Sequence, residues 1–78
     1  PMLDEVLNII FLVMENSELD SSSYDITPES NLREDLDLDS LALAELTVRI
    51  EEEFGIDIFE DGLVDTVEEV LEKLSNDR

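Results

Sequence analysis

Ser40 stands in the stretch "REDLDLDSLALAEL", residues 33 to 46, with Glu34, Asp35, Asp37, Asp39 and Glu45 around it. A serine hydroxyl acts as a nucleophile when a positioned base and an oxyanion site accompany it. The chain contains no histidine, and carboxylates are weak bases that would repel a developing anion. Paired carboxylates can hydrolyse glycosidic bonds, but that chemistry needs a cleft larger than a domain of 78 residues readily builds. No catalytic residue is therefore assigned. Ser40 reads instead as a group acted upon by another enzyme, placed where a helix begins and backbone amides favour an attached phosphate. The competing reading is that it serves only to cap that helix.

The same acids invite comparison with a calcium loop. Asp35, Asp37 and Asp39 copy positions one, three and five, but the glycine needed at position six is Ser40 and the glutamate needed at position twelve is Leu46. No metal site is assigned. The absence of cysteine removes disulfides and thiolate metal ligands as well.

The elements that must position Ser40 follow from apolar periodicity. "MLDEVLNIIFLVMEN" carries Leu3, Val6, Leu7, Ile10, Val13 and Met14 at helical spacing, with Ile9, Phe11 and Leu12 widening the arc and Asp4 and Glu5 in the first turn. Residues 17 to 39 form a long connection in which Pro28 bars helix at Thr27 and Ile26, Leu32 and Leu36 are expected to pin the backbone to the core. "SLALAELTVRIEEEF" then places Leu43, Leu46, Thr47, Ile50 and Phe54 on one helical face, capped by Asp39 or Ser40 and closed before Gly55. "TVEE" opens the last helix with Thr66 and Glu69 as a capping box and Val67, Val70, Leu71 and Leu74 as its buried stripe. Between these two helices, Ile58, Phe59 and Leu63 leave room for one short extra helix. The expected fold is all-α, a small bundle of three main helices with a possible short fourth and a long first loop, in one domain spanning residues 1–78. Pro1 ahead of Met2 is read as a cloning remnant.

Charge narrows the partners. Twenty-three acidic residues face only Arg33, Arg49, Lys73 and Arg78, for a net charge of −19. Such a surface repels phosphate backbones and anionic lipids, which excludes nucleic acid and points to proteins with basic surfaces. No run approaches the roughly 20 apolar residues of a membrane span and no basic-then-apolar leader is present. A monomer in the cytoplasm is the expected setting.

"EDLDLDSL" followed by "ALAELTVRIEEEFGIDI" resembles the acyl carrier protein family, whose D-S-L motif carries a 4′-phosphopantetheine arm on the serine. The likeness extends through the first helix, the "ITPESNL" loop and the capped "TVEEVLEKL" helix. It implies that Ser40 is the attachment point and that a phosphopantetheinyl transferase installs the arm from coenzyme A with magnesium. It also implies a thiol, supplied by the arm, that shuttles acyl groups as thioesters between enzymes of fatty-acid or polyketide type. Ser40 then needs no base of its own, because the transferase supplies the chemistry.

The chain departs from the family at three places. Asp37 stands where many relatives have Gly, Ala42 where many have an acid, and the segment before Thr66 is shorter than in fatty-acid carriers. The glycine pair that usually precedes the serine of peptidyl carriers is absent from "LDLDS", which favours an acyl or polyketide carrier.

A second strip on the Ser40 helix, Leu41, Ala44 and Val48 beside Glu45 and Glu52, is the expected docking surface, with Asp39 at its edge. The alternative for Leu41 and Val48 is packing beneath the long loop. Charge reversal of Glu45 or Glu52 is expected to leave folding little changed. Competing with the carrier as a whole is an acidic interaction module or nucleic-acid mimic that needs no prosthetic group.

Overall fold

Three helices stand at the positions that periodicity predicts: α1 at Met2–Asn16, α2 at Ser40–Phe54 and α3 at Val67–Asn76. This computed structural model describes residues 2–76; Pro1, read above as a cloning remnant, lies outside them, as does Arg78. α1 is the element on which both α2 and α3 pack. It offers Val6, Ile10, Val13 and Met14, all fully buried, while Ile9 is half-buried and Phe11 and Leu12 lie exposed. The buried stripe is thus narrower than the apolar arc of the sequence. Leu3, expected in that stripe, is also exposed, and it is Met2 of the first turn that packs against the core. None of these helices is long and apolar enough to cross a membrane.

α1 ends in a Schellman motif. Leu19 N donates to Met14 O at 2.9 Å and Glu18 N to Glu15 O at 3.0 Å, with Glu18 in the left-handed region at φ 63°. Glycine is the usual residue there, since a Cβ costs about 1 kcal/mol or more in this conformation. An acid at this end also opposes the helix dipole. Glu18→Gly should therefore stabilise the protein by roughly 0.5–1 kcal/mol after the entropy of the more flexible unfolded chain is counted. Thermal melts should show an increase of a few degrees.

The long connection is built rather than loose. It contains a 3₁₀ turn at Ser21–Ser23 that periodicity does not signal, capped by Asp20. Leu32, Leu36 and Leu38 are buried, and Ile26 is half-buried. Its middle forms an isolated antiparallel bridge, Asn31 to Thr66, and Leu32 N donates to Asp65 O at 2.8 Å. The same segment satisfies the start of α3: Val67 N donates to Ser30 O at 3.1 Å and Glu68 N to Pro28 O at 2.8 Å. The capping box forms as expected, with Glu69 N on Thr66 Oγ1 and Thr66 N on Glu69 Oε1. Glu69 also accepts from Asp65 N, and these two backbone donors, Asp65 first, hold its carboxyl below the usual glutamate range. Its contribution to stability is present above the ordinary glutamate value and is lost as pH falls through the lowered one.

The short fourth helix does not form. Residues 58–61 make turns, with Glu60 N on Asp57 O and Gly62 N on Phe59 O, and no continuous helical ladder. Gly62, at φ 133°, breaks any continuation. Ile58 and Val64 nonetheless reach the core, so the short segment before Thr66 closes the bundle with two anchors.

Candidate modification site at the start of the second helix

The backbone leading into α2 is wound tightly. Asn31 Oδ1 accepts from Arg33 N and Glu34 N, while Asn31 N donates to Asp35 Oδ2 at 2.7 Å. Asp37 N then donates to Arg33 O and Leu38 N to Leu32 O, each at 3.1 Å. Leu36 and Leu38, two residues apart, turn inward and anchor the turn from below. Leu38 is the pin that the sequence reading missed; its alternation with Leu36 is the available signal.

Asp39 is the N-cap of α2. Its Oδ1 accepts from Ala42 N at 2.9 Å, and its carbonyl from Leu43 N. Of the two candidates for this task, Asp39 performs it, which leaves the neighbouring hydroxyl free. Ser40 is the first helical residue and is exposed, and none of the hydrogen bonds among the described residues uses its Oγ. A hydroxyl at a helix start with no internal partner, beside the unsatisfied N–H groups of a first turn, fits attachment of a phosphate-linked group.

The three aspartates that resemble calcium ligands take separate partners. Asp35 binds Asn31 N, Asp37 accepts from the Tyr24 hydroxyl and Asp39 caps α2. Their carboxylates hold turns in place instead of converging on a point.

Leu43, Leu46 and Ile50 of α2 are buried and Thr47 and Phe54 half-buried, as the spacing predicts, and Ala42 joins the core. On the other side, Leu41 is 80% and Val48 52% exposed, so neither packs beneath the long loop. Glu52 is exposed beside them. Glu45 differs from the free surface acid expected above: it accepts from Asn16 Nδ2 at 2.7 Å and from Arg49 Nε at 2.8 Å, tying α1 to α2. These bonds, Asn16 first, keep its carboxyl below the usual range.

The cations of the described residues are paired within the protein. Among the described residues Arg33 pairs with Asp65, Arg49 with Glu45 and Lys73 with Asp61, at 3.2, 2.8 and 3.1 Å. Each exposed pair adds little stability. Their consequence is a surface on which the remaining carboxylates go unneutralised.

The family model described as phosphopantetheine attachment site matches residues 12–74, which include the end of α1, the long connection, Ser40 with the whole of α2, and most of α3. Curated relatives include the acyl carrier protein of Picosynechococcus sp., 43% identical over 60 residues, covering 77% of this chain and 68% of the relative. That of Thermobifida fusca is 41% identical over 49 residues, covering 60% of this chain and 62% of the relative. That of Lactobacillus acidophilus is 41% identical over 59 residues, covering 74% and 71%. The chain thus spans about two thirds of the length of the curated relatives it matches.

Proposed function

The chain belongs to the acyl carrier protein family, whose members carry 4′-phosphopantetheine covalently, and from this premise we propose that Ser40 is the attachment point in a single carrier domain spanning residues 1–78. The observation that carries the assignment is the division of labour at the helix start: Asp39 caps α2, so the Ser40 hydroxyl is exposed and uncommitted. When attached, the arm supplies the thiol on which acyl groups travel as thioesters. Ser40 Oγ gives its proton to a base of the phosphopantetheinyl transferase and bonds to the pantetheine-bearing phosphorus of coenzyme A, whose pyrophosphate P–O bond breaks so that adenosine 3′,5′-bisphosphate leaves; the transferase brings the coenzyme A and magnesium. The protein is thus a shuttle and not a catalyst, serving enzymes of fatty-acid or polyketide type.

The partner face is the exposed strip Leu41, Val48 and Glu52, with Asp39 and Glu45 at its margins. An apolar centre rimmed by acids suits an enzyme surface that is apolar at its middle and basic around it. The opposing proposal, an acidic module with no prosthetic group, leaves the exposed hydroxyl at position 40 without a role.

Incubation with coenzyme A, magnesium and a broad-specificity transferase tests the reading. Intact-protein mass spectrometry should show one phosphopantetheinyl group per chain, and an unmodified chain under several transferases would overturn it. Glu52→Lys should slow the same reaction at low ionic strength and much less at high, because rim charges act mainly on encounter. Glu45→Lys should slow it too, but should also lower the melting temperature through loss of the Asn16 and Arg49 bonds. Unchanged rates for Glu52→Lys at low salt would remove α2 as the docking face.

A further inference from the structure

Asp37 occupies a position built for glycine. The turn at residues 32–36 ends as helices commonly do, with a left-handed residue whose N–H reaches back four positions, here Asp37 at φ 61° donating to Arg33 O. Aspartate tolerates this conformation better than most residues, yet still at a cost that glycine does not bear. Three residues later stands Ser40, so a relaxation of Asp37 toward ordinary backbone angles would redirect the approach to the modified serine.

One contact offsets that tendency. The Tyr24 hydroxyl, thirteen residues earlier in the chain, donates to Asp37 Oδ2 at 2.7 Å. The Tyr24 ring packs against the core, and its backbone N–H closes the 3₁₀ turn on Ser21 O, so the donor is itself anchored. Hydrogen bonding to Asp37 also raises the hydroxyl above the ordinary tyrosine value.

We infer that Tyr24 is a positioning residue for Ser40: its hydroxyl holds Asp37 in the left-handed conformation and thereby fixes the backbone that presents Ser40 to the transferase. This rests on Ser40 being the attachment point. Loss of the latch lowers the fraction of molecules whose loop is ready to dock, and apparent affinity falls by that fraction. Chemistry after docking is unchanged, because Tyr24 touches neither the hydroxyl nor the incoming group.

The test measures transferase kinetics with the protein as the varied substrate at saturating coenzyme A and magnesium. Tyr24→Phe, which keeps the ring, should raise KM about three- to tenfold with kcat little changed. Asp37→Asn, which retains an acceptor and tolerates the left-handed region, should stay near wild type. Adding Asp37→Gly to Tyr24→Phe should return KM toward the wild-type value, because glycine takes the conformation unaided. Amide exchange at Asp37 and Leu38 in the Tyr24→Phe protein should accelerate, and this reads the latch without any enzyme. A wild-type KM in Tyr24→Phe, a change confined to kcat, unaltered amide exchange, or a double variant as impaired as Tyr24→Phe alone would overturn the inference. Wild-type protein that no transferase modifies would instead remove the function it rests on.

Discussion

Ser40→Ala is expected to abolish prosthetic-group transfer completely while leaving the fold intact. The two halves of this result have different physical origins. Transfer needs an oxygen at position 40, and alanine offers none. Folding does not need it, because the α2 cap is the Asp39 carboxylate on Ala42 N and the hydroxyl has no partner among the described residues. Alanine is also the best helix former and sits at the first helical position, so stability should change by less than about 0.5 kcal/mol. Intact mass after transferase treatment checks the first half, and circular dichroism melts check the second. A variant that fails to fold would mean that the serine, not Asp39, holds the start of the helix.

The second large effect concerns the connection before Ser40. Leu32→Ala should destabilise the protein by about 2–5 kcal/mol, the usual cost of emptying a fully buried leucine site. Leu32 has no exposed surface, its N–H donates to Asp65 O, and its carbonyl receives Leu38 N. A domain of this size is expected to have about 4–12 kcal/mol in total, so the substitution removes a large share. The melting temperature should fall by roughly 10 °C or more. Urea titration at low temperature provides the comparison. A change under about 1 kcal/mol would show that residues 28–38 ride on the surface and do not belong to the core.

These effects mark where the sequence was readable. The helices were legible because α2 and α3 combine a periodic apolar stripe with a terminal signal, Asp39 before Ser40, Gly55 after Phe54, and Thr66 with Glu69, while α1 has its stripe and the acids of its first turn. At Ser40 the lack of any neighbouring base spoke only against a catalyst; the attachment role came from the likeness of its motif to the carrier family, and the structure adds that the hydroxyl is exposed. The first connection was legible only as a set of apolar pins. Its actual constraints are long-range, as when Ser30 and Pro28 carbonyls satisfy α3 amides, and no local spacing announces them. The segment at residues 58–61 stayed open in the sequence for the opposite reason. Ile58 and Phe59 supplied helix-like apolar residues, yet Gly62 and the short span allow only turns. Glu45 looked like its neighbour Glu52 because a single strip of sequence cannot show that Asn16 of another helix lies within bonding distance. Tyr24 was missed likewise: its partner Asp37 was visible as a departure from glycine, but the hydroxyl that compensates lies across the loop.

The most direct measurement of the central claim is localisation of the added mass in transferase-treated wild-type protein. Cleavage after Arg33 and Arg49 releases residues 34–49, in which Ser40 is the one serine and Thr47 the one threonine. Fragmentation of that peptide should place a single phosphopantetheinyl group on Ser40, with residues 50–78 and those before 34 unmodified. An arm found on Thr47, on any serine outside the peptide, or nowhere in the chain would contradict the account.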